Sequence, residues 1–230
     1  MRSCESAGAG PGLRWDGRST LIVARRRRDN HTRRKPVFLH RAVLRPAIGR
    51  AVALRDRLVT AARSDQAVVA QRLWGEPLFI VLRPFETLAA LQTWRDGWQP
   101  DPAVAKELGH VPVTELWEVP PLAGGQVAKY SIRFTYHPSG GKMRELRDLL
   151  EQQAKEANAG GGRNSVWIRV SGGPQSLARI GALESLGAFE KLRATALAAP
   201  ANQQYQERVA ALVAKPVESP DVFEILTAPS

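Results

Sequence analysis

The feature that most constrains this chain is an internal repeat. The segment Arg41-Ala-Val-Leu-Arg-Pro46 recurs 92 residues later as Arg133-Phe-Thr-Tyr-His-Pro138. Two further blocks recur in the same order at spacings of 98 and 106 residues, pairing 82–95 with 180–193 and 117–119 with 223–225. Chance would not keep three matching blocks in one order. The sequence therefore predicts a duplicated folding unit.

Each copy shows the pattern strand, helix, strand, strand, helix, strand. In the first copy, residues 37–45 resemble a strand that Pro46 ends, and Ala51, Leu54 and Leu58 follow at helical spacing. This βαββαβ order is the ferredoxin-like motif, whose helices cover one face of an antiparallel sheet. The other face must then meet either water or a second sheet. We predict an α+β fold of two tandem ferredoxin-like repeats, each with strand order 4-1-3-2, packed sheet to sheet as an intramolecular dimeric α/β barrel.

Composition divides the chain into segments. We place the first repeat at 37–121 and the second at 127–227, with a linker punctuated by Pro and Gly at 122–126. Residues 1–36 hold ten Lys/Arg and three Asp/Glu, which is +7 of the formal net charge of +11. We interpret this segment as a disordered basic tail, or as an artefact of an upstream start assignment.

Charge and apolar content limit the partners. Because the positive charge lies mostly in residues 1–36, nucleic acid is not expected as a partner, although a basic arm stays an alternative. Since no apolar run approaches the roughly 20 residues of a membrane span, no membrane is expected either. The single cysteine, Cys4, fits a reducing compartment, and we predict a cytoplasmic protein. Homo-oligomer formation stays open.

Two short phrases carry a family resemblance. Residues 38–46 (FLHRAVLRP) and 115–119 (ELWEV) resemble NIPSNAP-like and antibiotic-biosynthesis-monooxygenase-like members of the dimeric α/β-barrel superfamily. The resemblance covers about residues 37–227. It implies the barrel fold, and it implies as one activity a cofactor-independent monooxygenase or isomerase acting on a small planar metabolite.

Strand alternation separates the two faces of each sheet. In 130–136, Ile132 and Phe134 share one face, which we expect under the helices, whereas Arg133 points to the inner face. Carrying this parity through the repeats predicts an inner, ligand-binding set: Arg41, Arg83, Glu118, Arg133, Trp167, Arg169, Arg179 and Glu224. The same parity makes Trp117 and Phe223 helix-facing. Two interpretations stay open, namely Arg–Glu pairs that close the space between the sheets, and an electropositive pocket for an anionic or carbonyl-bearing small molecule.

Catalytic groups are scarce in the sequence. His40 and His137 are the candidate bases, and no histidines have metal-ligand spacing, so neither a metal nor a cofactor is predicted. A heme, as in some relatives with this barrel, would need an axial ligand, and His137 is the only histidine of the second repeat. The sequence therefore leaves two classes: a non-catalytic ligand-binding or assembly module, and the enzyme that the resemblance implies.

Overall fold

The computed structural model describes residues 37–65, 67–99, 101–120 and 128–227. The predictions for residues 1–36 and for the linker at 122–126 fall outside these residues. Within them the same order of elements occurs twice, with the second helix of each repeat followed by a further helix. The first repeat comprises β1 (Val37–Leu44), α1 (Ala51–Asp65), β2 (Val68–Arg72), β3 (Phe79–Phe85), α2 (Leu88–Gly97), α3 (Pro102–Ala105) and β4 (Val113–Val119). The second comprises β5 (Tyr130–Tyr136), α4 (Met143–Ala159), β6 (Asn164–Ser171), β7 (Leu177–Leu183), α5 (Leu186–Ala198), α6 (Pro200–Ala210) and β8 (Asp221–Ile225).

The eight strands form one closed antiparallel barrel in the order β1-β3-β2-β8-β5-β7-β6-β4. Each repeat contributes four adjacent strands in the order 4-1-3-2, and the two sheets join edge to edge where β2 pairs with β8 and β4 pairs with β6. The predicted fold class and strand order are therefore confirmed. Because the sheets close on each other, their helix-free faces enclose one interior.

Local sequence explains how the helices begin and where they pack. The Thr87 and Ser185 side chains cap α2 and α5, accepting hydrogen bonds from the backbone N–H groups of Ala90 and Ala188 at 3.1 Å each. Leu54 of α1 and Leu146 of α4 are fully buried against the outer faces of their own sheets. Burying a leucine contributes about 1.5–3 kcal/mol, so these equivalent positions help to hold each repeat together.

The barrel interior forms a separate core from the two helix-side cores. Its apolar part comes from alternate residues of several strands: Leu39, Val43, Ile80, Trp117, Trp167 and Phe223. Tight packing of this kind leaves the polar groups that share the interior largely removed from water.

Candidate functional site

A charged cluster lies in the barrel interior. Arg41 Nη1 lies 2.6 Å from Glu115 Oε2, and Arg169 Nη2 lies 2.7 Å from Glu115 Oε1. Arg133 Nη2 lies farther away, 4.0 Å from Glu115 Oε2. All four side chains are at most 10% exposed. One carboxylate thus stands among three buried guanidinium groups.

Trp117 completes this cluster. Its Nε1 donates a 2.9 Å hydrogen bond to Glu115 Oε2, and the Cζ atoms of Arg133 and Arg169 lie 4.7 and 4.9 Å from the centre of its ring. Cation–π contacts of this kind offset part of the desolvation of the arginines. Burial raises the pKa of Glu115, but the charge of Arg41, the hydrogen bonds from Trp117 and Arg41, and Arg169 together outweigh burial and hold that pKa below its usual value. The carboxylate is therefore ionised at neutral pH.

The turn between β6 and β7 packs closely against β4 beside Glu115. Gly172 has φ +86°, and a Cβ at this position would collide with the carbonyl oxygen of Thr114 and stand 2.7 Å from Glu115 Cα. The pairing of β4 with β6 shifts register between Leu116 and Trp117. A residue with a side chain could not let the two backbones approach so closely, so glycine at 172 is required by this arrangement.

The structure places four of the eight predicted site residues inside the barrel: Arg41, Arg133, Trp167 and Arg169. Trp167 belongs to the apolar part of the interior, and its Nε1 donates to Ser165 Oγ at 2.9 Å.

The other four lie on the outer, helix-facing side: Arg83, Glu118, Arg179 and Glu224. Arg83 pairs with Asp65 at the end of α1, and its Cζ lies 4.6 Å from the centre of the Trp94 ring. Residues directly opposite each other on antiparallel strands share a face, and Arg179 stands opposite Phe134. The predicted inner placement of these four was therefore wrong.

These errors arose because the observed alternation of inward and outward side chains in these strands is displaced by one residue from the predicted alternation. Glu118 stands opposite Phe38 and Ile168, and Glu224 stands opposite Tyr130, so both glutamates face outward. Trp117 and Phe223, which were predicted to face the helices, lie inside the barrel instead.

Glu115 was missed by sequence reasoning, although a signal for it existed. It stands directly opposite Arg41 in the pairing of β1 with β4, and in strand alternation it shares its face with Trp117. A search for a carboxylate opposite Arg41, at the predicted 4-1 strand pairing, would have found it.

A cavity of about 860 Å³ lies outside the barrel in the second repeat, between the outer face of the sheet and α5 and α6. Apolar side chains form much of its wall: Ile132, Phe134, Leu186, Phe189, Leu192 and Val217. Trp74, from the first repeat, also lines it, with its ring centre 5.9 Å from that of Phe189. This volume and lining suit a small organic molecule.

Polar groups converge at the floor of this cavity. Arg179 donates to Gln153 Oε1 and, at 3.1 Å, to Asn164 Oδ1, and within the described residues it forms no ion pair with a carboxylate. Burial is the largest cause that raises the pKa values of Tyr136 and Tyr205, so both phenols stay protonated at neutral pH. The buried Tyr205 hydroxyl lies within reach of Tyr136 and Arg179, although it makes no hydrogen bond of regular geometry with the described residues. Arg179 and Tyr205 can therefore both donate to an oxygen of a bound molecule.

Neither candidate histidine lines this cavity. The His40 ring lies on the helix side of the first repeat, 5.0 Å from the Trp94 ring centre to centre, and burial and then the charge of Arg83 lower its pKa. His137 follows β5, and burial, Lys215 and Arg169 lower its pKa. Their suggested roles as bases stay untested predictions.

Comparison with solved structures identifies the class of fold. The chain is similar to an anthrone oxidase-like protein at 14% identity, over 84% of this chain and 92% of that one, with a TM-score of 0.62. A provisionally assigned monooxygenase from Fusobacterium nucleatum matches at 7% identity, over 84% and 93%, with a TM-score of 0.59. Chlorite dismutase from Candidatus Nitrospira defluvii matches at 13% identity, over 83% and 91%, with a TM-score of 0.52.

The chain thus has the dimeric α/β-barrel fold, as the resemblance implied. No model of a protein family matches the chain, and no curated protein matches it. None of the described helices has the length and apolar character to cross a bilayer.

The expectation that no cofactor is involved was wrong as an inference from this fold. Solved structures that share it include chlorite dismutases, at a TM-score of 0.52. Heme iron is held in proteins by histidine, cysteine, methionine or tyrosine side chains. Among the described residues that line the cavity, tyrosines alone belong to this set, and their raised pKa values disfavour the phenolate that would ligate iron. The residues present therefore do not fit a heme in this cavity.

Proposed function

We propose that this protein binds a small metabolite with an apolar, planar body and one anionic or carbonyl oxygen in the cavity of the second repeat. The observation that carries the proposal is Arg179, a cation without a carboxylate partner among the described residues, at the floor of a cavity with an extensive apolar wall. The charged residues Glu190, Arg193 and Glu218 also line this cavity. An apolar cavity with a few convergent polar groups is the usual form of a small-molecule site. The ligand would thus lie beside the barrel and not between its sheets, where side chains and the Arg–Glu cluster occupy the interior.

The proposal predicts separate contributions from the wall and from the floor. The apolar wall would hold the body of the ligand, whereas Arg179 and Tyr205 would donate hydrogen bonds to its oxygen. A charge-assisted hydrogen bond is worth about 1.5–3 kcal/mol, which corresponds to about tenfold or more in affinity.

Two fluorescent probes test whether the apolar wall and the polar floor contribute separately to binding. Anilinonaphthalene sulfonate carries an aromatic body and one anion, and N-phenylnaphthylamine is a neutral analogue. We expect Arg179→Gln to weaken binding of the anionic probe about tenfold or more and to leave the neutral probe unchanged. Arg83→Gln is the matched control, because Arg83 also lies on the helix-facing side of its sheet but in the other repeat. Equal loss of both probes, or no loss, would count against the proposal. Mass spectrometry of co-purifying small molecules would then identify the natural ligand.

A cofactor-independent monooxygenase or isomerase is the second candidate. It is favoured by the paired donors Arg179 and Tyr205, which could stabilise the oxyanion of an enolate formed from a carbonyl-bearing substrate. Proteins of the same fold described as anthrone oxidase-like and as monooxygenases support the same direction. Oxygen uptake with an anthrone-class ketone, compared between the wild type and Arg179→Gln, tests this activity. Binding of the ketone without oxygen uptake would favour the non-catalytic ligand-binding function.

A further inference from the structure

The charged cluster of the barrel interior has two halves related by the repeat. Arg41 stands opposite Glu115 in the pairing of β1 with β4, and Arg133 stands opposite Asp221 in the pairing of β5 with β8. The third member is Arg169 in one half and Arg72 in the other. Their backbone N–H groups make equivalent bonds across the neighbouring hairpin, to the carbonyl oxygens of Ser176 and Leu78.

The carboxylate side chains of the two halves differ by one methylene group. Glu115 reaches both of its arginines at 2.6 and 2.7 Å. Asp221 is shorter and, among the described residues, makes one ion pair, at 3.5 Å from Arg72 Nη1, and none with Arg133. Asp221 is also 42% exposed, whereas Glu115 is 8% exposed. The carboxylate of the second half therefore stays near the mouth of the barrel.

Within the part of the chain that the structure describes, Arg133 is consequently buried without a close counter-ion. Its side chain is 6% exposed, its Nε has no hydrogen-bond partner, and it forms no side-chain hydrogen bond with any described residue. Its one ion pair in the described ranges, at 4.0 Å, is with the carboxylate that Arg41 and Arg169 already bind. Burial, and then the charge of Arg41, lower the pKa of Arg133 to about 9, so the guanidinium still carries its charge at pH 7. A buried charge whose counter-ion is distant and shared with two other cations is unfavourable.

We propose that the barrel interior binds a small monovalent anion of halide size, contacted by Arg133 and Arg72 in the position that the Glu115 carboxylate holds between Arg41 and Arg169. Four arginines and two carboxylates make up the cluster, so one such anion brings its charge closer to neutrality. This site is distinct from the helix-side cavity, and its occupancy does not depend on the proposed function there.

The test is thermal unfolding of the full chain in chloride at constant ionic strength, with gluconate as the replacing anion. A ligand that binds only the folded state raises Tm with its concentration. For the wild type we expect Tm to rise by about 2–4 °C or more as chloride replaces gluconate. Asp221→Glu should place a carboxylate on Arg133, which raises Tm in gluconate and removes the dependence on chloride. Asp148→Glu, on the exposed side of α4, is the matched control and should behave as the wild type does.

Crystals grown in bromide give a second, independent readout. We expect an anomalous peak in contact with the Arg133 guanidinium in the wild type and no peak there in Asp221→Glu. If Asp221→Glu does not fold, Arg133→Gln serves in its place, since it removes the surplus charge and with it the dependence on chloride. A wild-type Tm that ignores the anion, a chloride dependence that persists in these variants, or a bromide map without a peak at Arg133 would each overturn the proposal.

Discussion

Arg41 and Glu115 face each other on adjacent strands at the centre of the barrel, with 2.6 Å between Nη1 and Oε2. They lie 74 positions apart in the sequence, and the segment between them contains nearly a whole repeat. This ion pair fastens the first strand of the repeat to its last, and through Arg169 it also joins the first repeat to the second. Replacing the single carboxylate of Glu115 therefore measures how much this ion pair contributes to stability.

Glu115→Gln should strongly destabilise the fold, because it leaves Arg41 and Arg169 buried without their counter-ion. Breaking a buried pair from one side typically lowers the free energy of unfolding by about 3–5 kcal/mol. Urea denaturation followed by tryptophan fluorescence measures the change. Glu118→Gln, three residues along the same strand but on its outer face, should change stability by about 0.5 kcal/mol or less. Similar losses in both variants would contradict the assigned roles.

Acid should unfold the protein partly through the same carboxylate. The pKa of Glu115 is lowered in the folded state, so its stabilising contribution is complete above the unfolded value of about 4.3 and is lost as pH falls through the lower folded value. Tm measured from pH 7 down to pH 3 should decline less steeply in Glu115→Gln than in the wild type. If Tm falls equally with pH in both proteins, other carboxyl groups control the loss of stability in acid.

Gly172→Ala should destabilise the barrel at the junction of β4 and β6. The added Cβ meets the backbone of Thr114 and Glu115, and φ +86° strains any L-residue that has a side chain. We expect a loss of about 1–3 kcal/mol or more in the free energy of unfolding. Gly140→Ala is the control, because a Cβ at that exposed turn meets nothing within 4 Å. A neutral effect at 172 would mean that the turn can move away from β4 at little cost.

Ala196→Phe should reduce the volume of the helix-side cavity. Ala196 lines that cavity from α5, whereas Ala198 lies on the same helix, is exposed and does not line it. Both the anionic and the neutral naphthalene probes should bind Ala196→Phe about tenfold or more weakly, since aromatic contact area is lost. Ala198→Phe should bind both as the wild type does. Unchanged binding in Ala196→Phe would show that the probes bind outside the helix-side cavity.

The sequence predicted the fold well because the repeat reports the same pattern twice. Face assignment succeeded at Arg133, where Ile132 and Phe134 on either side mark the helix-facing positions. It failed at Arg83 and Arg179, which do not occupy equivalent positions in the two repeats. The equivalent residues Arg41 and Arg133 stand opposite Leu82 and Ile180. Leu82 therefore corresponds to Ile180, and the counterpart of Arg83 is Gly181. A one-residue slip reverses the face of a side chain.

The cavity could not be predicted from the sequence. Its walls come from α5, α6, the segment before β8 and Trp74 of the other repeat, so its volume depends on how far these helices stand from the sheet. Apolar spacing in α5 and α6 indicates that these helices pack, but not at what distance. Arg179 was among the predicted ligand-binding residues, but only its register opposite Phe134 placed it on the outer face beside this cavity.

Joining both halves of the barrel in one polypeptide frees them to differ. In an assembly of two identical subunits every substitution occurs twice, so a carboxylate shortened on one side would be shortened on the other as well. Here Glu115 and Asp221 occupy corresponding places with unlike reach, while Trp117 and Phe223 differ beside them. Covalent linkage thus lets one half keep its buried Arg41–Glu115–Arg169 cluster while the corresponding side chains of the other half change.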